Sequence, residues 1–223
     1  MAHIINNTAT ASDKHSSDIQ KCLNDCTEQF TQILSSVLNG GNQDAHKMEA
    51  SIFKQLIKLG FILMQLFFAS HNEGNYGKKV ETAQGIAKRG RTSLRSYFSI
   101  FGKMKVKRYL YHIDDESFVP LDIVLNLPVR CYSYFLSEFA NLLSINGAYE
   151  NTAELLKKFF GVKLSVSALE TISSESSESY EDYYDLKNRF PKLKSKLDYV
   201  VVSFDGKGVP MIKVEAAKIV ARQ

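Results

Sequence analysis

Apolar residues recur at helical spacing over two N-terminal stretches. Ile19, Leu23, Phe30, Ile33, Leu34, Val37 and Leu38 predict a helix over 18–38, closed by the Gly40-Gly41 pair. Ile52, Leu56, Leu59, Leu63 and Phe67 follow at steps of four, three, four and four, the spacing of one helical face, and predict a second helix over 44–70. Phe53, Ile57, Phe61, Ile62, Met64 and Phe68 widen its apolar arc beyond a single stripe. Such a helix has to be buried, in a core or against a second copy. Its longest uncharged run, 59–70, is 12 residues, short of the ~20 that span a bilayer as a helix. Residues 1–18 lack the apolar core of a signal peptide. The expectation is a soluble, cytoplasmic chain with no membrane partner.

The pattern changes after residue 70. Residues 71–91 hold Gly74, Gly77, Gly85 and Gly90 with no apolar period, which predicts a flexible basic linker. Two strand-like runs, 92–100 and 103–112, predict a hairpin with Phe101-Gly102 at its turn. Strand alternation sends Met104, Val106 and Leu110 to one face and Lys103, Lys105, Lys107, Tyr109 and Tyr111 to the other. An extended connector with Pro120 and Pro128 follows. A helix over 130–145 is expected to turn Tyr134, Phe135, Phe139 and Leu142 inward, and one over 149–160 to end at Gly161. Ser167-Ala-Leu-Glu170 has the form of a capping box opening a third helix. Helix, glycine turn and capped helix outline either a helix-turn-helix or a purely structural helical hairpin. The last of these helices carries serines and glutamates where a base-reading helix would carry Arg, Lys or Gln. Finally, Val200-Val-Val-Ser-Phe runs into Asp205-Gly206. That is a hairpin turn, or a carboxylate at a strand end placed to hold a hard cation.

Composition narrows the class. Of 223 residues 44 % are hydrophobic and 23 % charged, which excludes wholesale disorder, collagen-like sequence and a disulfide scaffold. Cys22 and Cys26 share a helical face, but no second Cys or His pair stands at ligand spacing, so buried or idle thiols compete with a zinc reading. The net charge of +4 conceals a separation. Between Asn75 and His112 ten basic residues stand against Glu81 alone, whereas residues 113–190 hold 13 acidic and 6 basic residues. A one-signed strand face interleaved with Tyr97, Tyr109 and Tyr111 fits a surface that tracks phosphates. An ordinary charged surface and an acidic protein partner are the alternatives. The candidate phosphate contacts are Lys88, Arg89, Arg91, Arg95, Lys103, Lys105, Lys107 and Arg108.

In this order the pieces resemble the N-terminal half of a DDE-type insertion-sequence transposase of the Kra class. The resemblance rests on Met48-Glu49 and Leu59-Gly60 in the long apolar helix, and on Phe101-Gly-Lys-Met-Lys-Val-Lys-Arg-Tyr. It continues through Pro120-Leu-Asp122, Leu127-Pro128 and Gly161-Val-Lys-Leu-Ser165, and is strongest at Val201-Val-Ser-Phe-Asp-Gly-Lys-Gly-Val-Pro-Met211. It implies a ribonuclease-H-like catalytic domain in which three acidic residues hold two divalent metals, Mg²⁺ or Mn²⁺, for phosphodiester transfer. Asp205 matches the first of the three, as catalytic residue and metal ligand. Relatives often carry a Cys-x-x-Cys element after the hairpin; Tyr111-His-Ile-Asp-Asp-Glu-Ser-Phe118 has no cysteine, so no zinc is expected. The other two carboxylates would lie beyond Gln223, which leaves the chain expected to be inactive alone, as a truncated product or half of a split protein.

The expected fold class is therefore α+β. It comprises a disordered tail (1–17), a helical hairpin with oligomerising potential (18–70), a basic linker (71–91) and a basic β-hairpin with its connector (92–128). A helix-turn-helix-like unit (129–190) and the first strands of an incomplete ribonuclease-H-like domain (191–223) complete it. The expected partners are double-stranded DNA at element ends and further copies of the chain. The alternative function is a non-catalytic interaction or regulatory protein that oligomerises through the 51–70 helix.

Overall fold

Seven helices and a four-stranded antiparallel sheet make up residues 13–41, 43–178 and 180–187, the part of the chain that the computed structural model describes. This mixed helix-and-sheet content agrees with the α+β expectation at that level. The chain divides into two units, Met1–Ser179 and Tyr180–Gln223. Only helix α7 (Tyr180–Lys187) of the second is described, with the rings of Tyr180 and Tyr184 4.6 Å apart. The strands expected over 191–223, including Asp205, lie outside the described residues.

Helix α1 (Asp13–Leu38) begins five residues before the apolar period does, so 13–17 of the expected disordered tail is helical. That run has no apolar period to betray a helix, but it holds no Gly or Pro to prevent one. Helix α2 (Ala45–Ser70) follows a short loop, with Asp44 as its extended N-cap. The two pack along each other, Gln55 Nε2 donating to Ser36 Oγ at 3.2 Å. By length and composition α2 is the one helix among the described residues able to cross a membrane. Here one of its sides lies on α1 and another on the sheet.

Strands β1 (Lys79–Thr82), β2 (Gly85–Ser99), β3 (Gly102–Ile113) and β4 (Glu116–Phe118) form a meander in chain order. The expected hairpin is thus longer than its pattern, and part of the expected linker is sheet. The β1–β2 and β2–β3 turns use one device. Thr82 Oγ1 donates to Gly85 O at 2.8 Å, and Ser99 Oγ donates to Gly102 O at 3.2 Å. In each case the glycine holds a positive φ, +134° and +132°, that a side chain would strain. Ala83-Gln84 is not a common hairpin dipeptide, which is why the first turn passes for linker. Opposite Leu110 the β2–β3 register slips by one residue between Arg89 and Thr92, a β-bulge.

Two cores result. In the first, Phe61, Met64 and Phe68 of α2 meet Tyr97, Met104 and Val106 of the sheet. Leu121 of the short helix α3 (Pro120–Val124) closes it. The second lies among α4 (Tyr134–Ile145), α5 (Tyr149–Phe160) and α6 (Val166–Ser177), around Leu136, Ala140, Leu156, Leu169 and Ile172. It is tied to the sheet where residues 131–133 run along β2: Phe98 N–H donates to Cys131 O at 2.7 Å and Ser133 N–H to Phe98 O at 2.8 Å.

Two details differ from the sequence reading. Helix α4 starts at Tyr134, capped by Ser133, and turns in Leu136 and Ala140, while Tyr134, Phe135 and Leu142 are exposed. The small Ala140 lets its neighbours close in, and the bulkier rings line the rim, where Phe139 stands edge-on to Phe135 and Phe160. Helix α6 is capped two residues earlier than the Ser167 box implies, by Ser165 Oγ accepting from Ala168 N–H at 3.1 Å.

Gly60 is where α2 meets the β2–β3 turn: a Cβ there would come within 2.4 Å of the Phe101 ring. Mid-helix Gly→Ala ordinarily gains about 1 kcal/mol from propensity, whereas overpacking costs about 1–3 kcal/mol. Gly60→Ala is expected to lower stability in urea unfolding by about 1 kcal/mol, and Phe101→Ala in the same chain to reverse the sign of that effect.

Candidate nucleic-acid interface

The basic residues of the sheet divide into three groups by strand alternation and cross-strand pairing. Lys103, Lys105 and Lys107 stand at every second position of β3 and are exposed, ~7 Å apart at strand rise. Their partners on β2 are Phe98, Ser96 and Leu94, so that face reads Lys–Phe, Lys–Ser, Lys–Leu along its length. Lys103 Nζ lies 5.0 Å from the centre of the Phe98 ring. Lys107 Nζ reaches Glu73 at 2.9 Å. Glu73's hydrogen bond raises the Lys107 pKa above its ordinary value, with partial burial opposing, so the ammonium stays charged at neutral pH. Further along the same face Arg89 lies over the Tyr109 ring at 5.0 Å and donates to Asn75 Oδ1 at 2.6 Å.

Tyr111 departs from the expected exposed face and is fully buried. Its hydroxyl accepts from Tyr76 N–H and donates to Gly77 O, both at 2.9 Å, so residues 75–77 roof that end of the sheet. Burial pushes the Tyr111 phenol above its usual pKa, which keeps it a neutral donor.

The second group forms a row across three strands. Lys88 pairs with Lys79 on β1 and with His112 on β3. All three are exposed, and among the described residues neither lysine makes an ion pair within 4.0 Å. Directly opposed like charges weaken a sheet, so this row invites an anion. Lys79 and His112 were not among the candidates, because their placement depends on β1. The Thr82-x-x-Gly85 turn is the signal that fixes 79 opposite 88. Arg91 is exposed in the bulge region of β2.

The third group is not presented to solvent. Arg95 and Arg108 both bond Asp122 Oδ2 of α3, Arg95 at 2.8 Å, and their side chains are 11 % and 18 % exposed. Arg95 also donates to the carbonyls of Pro128 and Arg130. Among the described residues Asp122 Oδ1, Arg108 Nε and Ser93 Oγ have no hydrogen-bond partner. These two arginines clamp the connector onto the sheet, so the candidate surface loses them and gains Lys79.

Helix α6 carries no Lys or Arg; its Glu175 pairs with Arg130 and its Ser173 and Ser176 bond Asn141 of α4. No group of three His, Cys, Asp or Glu side chains among the described residues could hold a metal ion. The thiols of Cys22 and Cys26 are raised in pKa, first by burial, which disfavours the thiolate a zinc site needs. Comparisons of the chain with protein-family models, with curated proteins and with solved structures give no match.

Removing Asp122 would leave two largely buried guanidinium groups unpaired. Asp122→Ala is expected to cost about 3 kcal/mol in denaturant unfolding, and adding Arg95→Met and Arg108→Met to recover most of that loss.

Proposed function

We propose that this chain binds double-stranded DNA through the exposed basic residues of its sheet, as the DNA-binding portion of a transposition system. The observation that carries this reading is the excess of exposed lysines. Lys103 and Lys105 stand exposed on one face beside Lys107, which Glu73 holds, and on the opposite face Lys79 and Lys88 stand side by side with no ion pair within 4.0 Å among the described residues. Repulsion within such a surface is relieved when phosphates replace the counterions around it, and the release of those ions drives binding. Phe98, Leu94 and Tyr109 supply flat or apolar contacts beside the ammonium groups.

Contacts of this kind position a duplex without reading its bases. The acidic and serine-rich surface of α6 suits a packing helix better than one inserted in a groove. The link to transposition rests on the order of sequence motifs. On that reading Asp205, outside the described residues, would be one carboxylate of a Mg²⁺- or Mn²⁺-dependent centre.

Fluorescence anisotropy with a labelled duplex at several salt concentrations tests the proposal. Affinity is expected to fall linearly with salt on logarithmic axes. Lys105→Gln and Lys88→Gln should each reduce the magnitude of the slope by about 0.9, irrespective of duplex sequence. Affinity that ignores salt, or slopes untouched by both substitutions, would remove the DNA reading.

A further inference from the structure

Helices α1 and α2 carry more apolar surface than the fold covers. On α2, Gly60, Phe61, Met64 and Phe68 face the sheet, and Gln55 lies on the side that meets α1. A third stripe, Phe53, Leu56, Leu63 and Phe67, is 43–50 % exposed. On α1, Ile33 and Gln29 are buried while Leu23, Phe30, Leu34 and Val37 are 42–53 % exposed. On each helix the exposed stripe lies about 100° round from the side that meets the other helix. Because consecutive helices joined by a short loop run antiparallel, both rotations lead to the same side of the pair. The two stripes are therefore one face.

We infer that this face pairs with the same face of a second copy, two α1–α2 hairpins forming a four-helix layer about a twofold axis. Eight half-exposed large side chains at roughly 100 Å² each amount to ~800 Å² per copy, the area a standard stable interface takes from one partner. Phe53, Leu56, Leu63 and Phe67 are spaced three, seven and four, steps that fall on the seam positions of packed helices. A twofold contact sets each residue against its own kind, so it must avoid like charges. Lys54 and Lys58 stand on the opposite side of α2 from this seam by helical spacing. A lipid surface is a poorer occupant. An interfacial helix flanks its apolar face with Lys and Arg, and a spanning α2 would have to give up the contact of Phe68 with Tyr97, whose rings are 5.2 Å apart. The expectation from sequence gave oligomerising potential to the 18–70 hairpin and put the contact on the 51–70 helix, whose apolar arc includes Phe61, a residue the structure commits to the sheet core.

This inference does not depend on DNA binding. The test is light scattering on the full chain at micromolar concentration, with flotation on phosphatidylcholine vesicles. Wild type is expected at twice the 25.2 kDa chain mass and absent from the vesicles. Leu56→Glu with Leu63→Glu on α2, and separately Phe30→Glu with Leu34→Glu on α1, should each raise the dimer dissociation constant at least about 100-fold. Circular dichroism should show unchanged helix content in both variants, since the altered side chains are on the surface. A monomeric wild type, a dimer that survives both pairs of substitutions, or a monomer that floats with the vesicles would each overturn the inference.

Discussion

The carboxylate of Asp122 is the point through which the first unit is held together. It receives Arg95 from β2 and Arg108 from β3 on a single oxygen, while Arg95 reaches on to the carbonyls of Pro128 and Arg130. The paired strands β2 and β3 are thereby fixed to α3 and to the connector that leads into α4. The connector in turn lays residues 131–133 along Phe98, which orients the three-helix core. A largely desolvated ion pair is a weak source of net stability but a strong penalty on any arrangement that separates it. Its role here is therefore to specify one geometry for the sheet and its flanking helices.

That constraint also explains the division of labour among the basic residues. A strand offers its side chains alternately to two faces, and where a face packs on α2 and α3 it cannot accept unpaired cations; past that contact the same face carries the exposed Lys79 and Lys88. Arg95 and Arg108 fall on that face and need Asp122; Lys103, Lys105 and Lys107 fall on the other and remain in solvent. A residue count across the segment cannot separate the two sets, whereas the register does so at once.

The helices were legible because their apolar period is long. For α2 the pattern alone gave both ends to within a residue, and the β2–β3 core followed from alternation of Met104 and Val106 against the lysines. β1 was hidden by its four-residue length and by a turn whose signal is a hydroxyl and a distant glycine, Thr82 and Gly85. The inward face of α4 is not legible from hydrophobic bulk, because shape decides it in favour of Ala140. The fate of Arg95 and Arg108 was not legible at all, since Asp122 is 27 and 14 residues away from them. Only the folded connector brings these charges together.

The bulge between Arg89 and Thr92 has a geometrical consequence for whatever meets this sheet. An extra residue in one strand bends and twists the ribbon locally, so Lys103, Lys105 and Lys107 lie along one straight segment and Arg89 beyond the bend. A flat, rigid anionic surface can touch one segment or the other. A polyanion that curves, or can be made to curve, could follow both, so on the proposed reading the bend would favour polyanions of low bending stiffness even where the charges cannot tell them apart.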